Sequence, residues 1–91
     1  MSMKDIGEKY YFVSLWEEPL YGIKGALVNK ETGKLLVVGK GNKRRTHFFA
    51  DSEKLKKEGI TILRGKKRNK FLQKFNWVND KNGKFLRKSK R

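Results

Sequence analysis

The stretch that decides the fold is YYFVSLWEEPLYGIKGALVNKETGKLL, residues 10–36. Tyr10 to Trp16 is rich in aromatic and β-branched residues and reads as a strand. Successive side chains on a strand point to opposite faces. Tyr11, Val13 and Leu15 therefore share one face, and Tyr10, Phe12 and Trp16 the other. Both faces are apolar, which fits a central strand covered twice, the favoured arrangement, or a strand that presents aromatics to a ligand. Glu17-Glu18-Pro19 ends it, because proline cannot donate to a ladder. Leu20 to Val28 reads as a second strand, in which Gly22 and Gly25 mark a bend, a bulge or a close backbone approach. Asn29-Lys30-Glu31-Thr32-Gly33 is then a turn leading into Leu35–Val38. Asn and Gly tolerate turn conformations and apolar runs flank them, so a hairpin is expected.

Outward from this hairpin, Thr46–Phe49 reads as a short strand. Asp51 or Ser52 can cap a brief helix near 52–58, stopped by Gly59, and Ile60–Leu63 reads as a further strand. Residues 67–76 are ambiguous. Phe71, Leu72, Phe75 and Val78 make a helical stripe, whereas Phe71, Phe75 and Trp77 line one face of a strand. The expectation is a second helix near Lys67–Phe71, then strand to Val78. The pattern V-N-x-x-x-G-K-(L/F)-L occurs twice, at 28–36 and 78–86. The flanking residues do not match, so the same turn used twice explains it better than a repeat or a shared ligand motif. The first copy reads as scaffold. The second would hand the chain from the core to a basic tail.

The fold class that follows is α+β, mainly antiparallel β: a small curled sheet or partly open barrel with one or two short helices. By element order alone it can be drawn as OB- or SH3-like. Residues 1–86 are expected to form one small globular domain and 87–91 a flexible basic tail.

Charge is the strongest signal of function. The chain of 91 residues has 24 Lys plus Arg against 9 Asp plus Glu, a net charge of +15. Residues 1–63 carry 12 basic and 8 acidic residues; residues 64–91 carry 12 basic and 1 acidic. A solvated face usually mixes signs, and unmixed charge repels itself until a polyanion neutralises it. No apolar run reaches the ~20 residues of a membrane span. The absence of cysteine and of a basic-then-apolar leader fits an intracellular setting.

Three basic segments interleave with aromatics: Lys40–Arg45, Arg64–Lys74 and Lys81–Arg91. The expected nucleic-acid-binding residues are Lys40, Lys43, Arg44, Arg45, Arg64, Lys66, Lys67, Arg68, Lys70, Lys74, Arg87 and Lys88, with Trp77 as a stacking ring. Lysines outnumber arginines 18 to 6. A lysine is a point charge, whereas arginine reads guanine edges bidentately. Backbone binding with little sequence readout is therefore expected, DNA ahead of RNA. The alternative is a small adaptor or inhibitor that docks on an acidic surface of another protein, anchored by Tyr10–Trp16 and Leu20-Tyr21. A remote alternative is a ribonuclease using His47. One histidine, scattered acids and no ligand spacing give no catalytic or metal centre and imply no cofactor. The oligomeric state is not encoded in these patterns.

Overall fold

The computed structural model describes residues 3–79 and 85–88. Its elements run α1 (Met3–Lys9), β1 (Tyr10–Glu18), β2 (Gly22–Asn29), β3 (His47–Ala50), α2 (Ser52–Lys57), β4 (Ile62–Leu63), α3 (Gly65–Lys74), β5 (Trp77–Asn79) and β6 (Leu86–Lys88). β1 to β4 form one mixed sheet in the order β3-β2-β1-β4, and β5 and β6 form a separate antiparallel pair. Every pairing is antiparallel except β1 with β4. The fold is α+β and mainly antiparallel, as the sequence indicates. Of the two forms expected, the described strands adopt the open sheet and do not close into a barrel.

β1 is central and covered on both sides. Phe12 and Val13 are neighbours in sequence, point to opposite faces, and are both 0% exposed. Each such burial is worth about 1.5–3 kcal/mol. On one face Val13, Leu15, Val28 and Leu63 pack beneath Phe71 and Leu72 of α3 and Leu86 of β6. On the other, Phe12, Ile23 and Leu27 pack against Leu55 of α2 and Ile60, with Ile6 of α1 beside them. Gly25 opens the second face: a Cβ there would strike the Val13 carbonyl and the Phe12 ring. This is the close approach that a glycine inside a strand signals.

One side chain is displaced from its expected face. The β1–β2 register slips between Ser14 and Trp16, so Leu15 and Trp16 together oppose Lys24. A bulge of this kind puts two residues opposite one and inverts the alternation beyond it. Trp16 therefore leaves the Phe12 side and joins Lys24 on the face covered by α3.

The first turn is built by Asn29, whose side-chain oxygen accepts from the Glu31 and Thr32 amides at 2.8 and 2.9 Å. Gly33 closes it at φ +74°. The expected third strand at Leu35–Val38 shortens to two isolated bridges, Val28 with Leu35 and Val38 with Arg45. Leu36 and Val38 turn into the core while Val37 is exposed, so this segment wraps the sheet edge rather than extending it. α2 is capped as expected: the Asp51 carboxylate accepts from the Glu53 amide at 2.9 Å, and Gly59 follows at φ +78°. The ambiguous segment resolves as a ten-residue helix followed by β5. The second V-N-x-x-x-G-K copy is flanked by a real strand pair, Trp77–Asn79 against Leu86–Lys88. Its turn, residues 80–84, lies outside the described residues, as do residues 89–91 of the expected tail. Arg87 and Lys88, assigned to that tail from sequence, are in β6.

Candidate nucleic-acid interface

α3 has the sequence GKKRNKFLQK, with five basic residues and no acid. α2, by contrast, sets Glu53 against its lysines. Arg68, Phe71, Leu72 and Phe75 lie at i, i+3, i+4 and i+7, the spacing of one helix face. Phe71 and Leu72 are buried against the sheet. The two arginines at the start of the segment are fasteners. Arg64 pairs with Glu17 at 2.8 Å across an exposed surface, where such a pair contributes about 0.2–1 kcal/mol. Arg68 donates to the Ser14 carbonyl at 2.8 Å, at the bulge in β1. Together they lay α3 back along β1.

This docking brings lysines together. Lys67, Lys70 and Lys74 recur at i, i+3 and i+7 along one flank of α3, the spacing that aligns them. Lys30, from the first turn, stands opposite. The four rim an open groove of about 630 Å³ whose floor is Tyr11, Leu63 and Phe71. The Lys30 ammonium sits 4.7 Å from the centre of the Tyr11 ring, and Tyr11 meets Phe71 edge-on at 5.1 Å. No acid lines the groove. Among the described residues none of its four lysines pairs with a carboxylate. Lys67, Lys70 and Lys74 have no acid beside them in the groove, while Lys30 also borders a cleft with Glu8 and Glu31, so the groove is a cationic rim around a wall that is part aromatic. Lys66 continues the charge onto the outer side of α3, beside Asn69 and Gln73.

The other expected residues are placed differently. Lys40, Lys43, Arg44 and Arg45 are all exposed, around a single 3-10 turn at Gly41–Lys43. That segment leads into β3, at one edge of the sheet, whereas α3 leaves β4, at the other. Arg87 is exposed on β6 opposite Val78. Lys88 has a structural task. Its ammonium donates to the Phe75 carbonyl at 2.8 Å, capping the C-terminus of α3, and lies 4.3 Å over the Trp77 ring. Trp77 is half-buried, and its Nε1–H donates to the Gly33 carbonyl at 2.7 Å. The ring pins β5 to the first turn and gives a face to Lys88. The alternating Phe71, Phe75 and Trp77 rings thus serve the core.

His47 is buried, and both its ring nitrogens are engaged. Nε2 accepts from the Leu86 amide at 3.0 Å, and Nδ1 lies 2.9 Å from the Thr46 hydroxyl. Acceptance at Nε2 places the ring proton on Nδ1. The histidine joins β3 to β6, a packing role. Among the described residues no group of three or more His, Cys, Asp or Glu side chains is placed to hold a metal. No helix among them is long and apolar enough to cross a membrane.

Sequence reading missed Lys30 and Tyr11 as groove residues. Lys30 belongs to a turn read as scaffold, and nothing local distinguishes it. It reaches the groove because Phe75 and Trp77 pack on Gly33 and hold that turn beside the end of α3. Comparison with protein families, characterised proteins and solved structures gives no match for this chain.

Proposed function

We propose that this protein binds nucleic acid through phosphate contacts, with little dependence on sequence and with DNA ahead of RNA. The observation that carries the reading is the groove along α3, where Lys30, Lys67, Lys70 and Lys74 converge without an acid among them. A polyanion laid along the groove would relieve their mutual repulsion. Lysines dominate the groove, and of the arginines that could read base edges Arg64 and Arg68 are occupied within the fold. Binding is therefore strongly salt-dependent and tolerant of sequence. The test is a set of band-shift titrations against duplex DNA, single-stranded DNA and structured RNA at two salt concentrations. Affinity that falls with salt on at least one of them supports the reading. A nuclease-treated preparation that shifts none of the three sinks it.

A second reading, docking on an acidic surface of another protein, is favoured by the exposure of Leu20 (84%) and Tyr21 (68%) at the tip between β1 and β2. The state of the purified protein separates the two. Co-purifying nucleic acid, released by nuclease or high salt, favours the first. A clean preparation that binds no DNA or RNA leaves the second.

A further inference from the structure

We infer that a second surface, a cluster of rings around Lys24, stacks unpaired bases, so that the preferred ligand is nucleic acid with a single-stranded segment. The inference rests on the phosphate-binding reading and adds what the lysine groove alone does not supply. Trp16 and Phe49 are each the cross-strand partner of Lys24, on β1 and β3 respectively. Cross-strand partners share a face and touch. The bulge at Leu15 is what brings Trp16 into this row. The Lys24 ammonium lies 5.0 Å from the Phe49 ring centre and 5.7 Å from that of Phe85. Tyr21 joins from the β1–β2 tip, 5.8 Å from Phe49.

Three features mark the cluster as a binding surface. Tyr21, Phe49 and Phe85 are 68%, 40% and 47% exposed. Scattered apolar residues on a surface are ordinary, but neighbouring rings left in water together are not. The rings also meet one another at angles: 55° for Trp16 with Phe49 and 49° for Tyr21 with Phe49. None is stacked flat on another, so the Tyr21 ring and the faces of Phe49 and Phe85 turned away from Lys24 are not covered by a second ring. Finally, the Lys24 ammonium lies over the Phe49 and Phe85 rings and puts a positive charge within the cluster, available to a phosphate of a strand whose bases stack there. Ring faces with interleaved cations are how sequence-tolerant single-strand binders hold their ligand. α3 links this surface to the groove. Near its start Arg68 donates to the Ser14 carbonyl, two residues from Trp16, and it ends on Lys74 in the groove. Over its ~15 Å length it offers lysines for the intervening phosphates.

The test compares an oligothymidylate with a duplex of equal length, by fluorescence anisotropy, for the wild type, Tyr21→Ala, Phe85→Ala and the double variant. Tyr21→Phe and Phe85→Tyr serve as ring-preserving controls. Tyr21 is largely exposed, whereas Phe85 meets the buried His47 ring edge-on at 5.1 Å, so a thermal melt of each variant checks that the fold is kept and Tyr21→Ala carries the test if Phe85→Ala does not fold. The expected result is a loss of about 5- to 150-fold on the oligothymidylate for each ring that carries a base, unchanged duplex affinity, and full recovery in the controls. Equal losses on both ligands, or no loss on either, overturn the inference. So does a ring-dependent self-association seen by sedimentation with no effect on oligothymidylate, which would make the cluster a protein-docking surface. Failure here is separable from failure of the groove. If neutralising Lys67, Lys70 and Lys74 abolishes binding while the ring variants do nothing, the groove stands without the stacking. A wild type that binds neither ligand overturns both.

Discussion

Replacing Lys67, Lys70 and Lys74 by glutamine should make the protein more stable and bind nucleic acid less well. Glutamine is nearly as good a helix former as lysine, so α3 itself is preserved. The substitution removes three like-charge neighbours on the helix, Lys66 with Lys70, Lys67 with Lys70 and Lys70 with Lys74. Each costs about 0.2–0.5 kcal/mol, so the gain is about 0.6–1.5 kcal/mol, or a Tm several degrees higher for a domain of this size. None of the three lysines has a carboxylate partner among the described residues to set against that gain. Binding moves the other way. If each lysine neutralises one phosphate, the slope of log K against log salt flattens by about 2.1 on single strands and about 2.7 on duplex. Near 0.1 M salt the same product gives an affinity loss of about 100- to 500-fold. Differential scanning fluorimetry reads the first quantity and anisotropy titrations across salt the second. An unchanged salt slope refutes the assignment of the groove. A fall in Tm alongside the fall in affinity would show that these lysines hold the fold together rather than serve a ligand.

Three further outcomes follow from the structural assignments. Trp77→Phe keeps a ring but loses the bond to the Gly33 carbonyl, and should lower unfolding free energy by about 1 kcal/mol in urea without altering nucleic-acid affinity. Weakened binding at full stability would return Trp77 to the role of stacking platform. His47→Phe retains the shape of the ring and leaves the buried Leu86 amide without its acceptor, costing about 1–3 kcal/mol. Hydrogen exchange at Leu86 should accelerate, and an RNA-cleaving activity lost with stability unchanged would instead point to a catalytic histidine. Gly33→Ala forces a left-handed conformation on a residue with a Cβ, at about 1–2 kcal/mol, and drives that Cβ into the Phe75 ring. A chemical melt indistinguishable from wild type would show that the turn relaxes without cost.

The parts of the fold legible in the sequence are those set by neighbouring residues. Asn29 and Gly33 announce their turn because one side chain and one backbone conformation suffice to make it. Asp51, Leu55 and Gly59 announce α2 for the same reason. Phe12 and Val13 reveal a strand buried on both faces because alternation alone demands it. The illegible parts depend on distant partners. Nothing in Ser14-Leu15-Trp16 signals a bulge, which becomes fixed when Arg68, 54 positions later, takes the Ser14 carbonyl. The two residues of β4 carry no sign of running parallel to β1. The site divides in the same way. The lysines of α3 stand out as a charge run, whereas Lys30, Tyr11 and Lys24 join the candidate surfaces through packing. Rings that look like a ligand platform, Phe71, Phe75 and Trp77, are the ones this small core uses. The exposed rings come from Tyr21, Phe49 and Phe85, in three separate parts of the chain.

The short ladder between β1 and β4 has a consequence for how the protein reaches its working state. Phe12 pairs with Ile62 and Val13 with Leu63, across 50 positions of chain. The β1–β2 hairpin closes a short local turn, whereas this parallel register closes a far longer loop and carries the larger entropic cost. Leu63 is part of the groove floor and α3 begins two residues beyond it. The floor of the cationic groove therefore depends on this long-range pairing rather than on the local β1–β2 hairpin. A version truncated after Leu63 would lack Lys67, Lys70 and Lys74, three of the four cations that rim the groove.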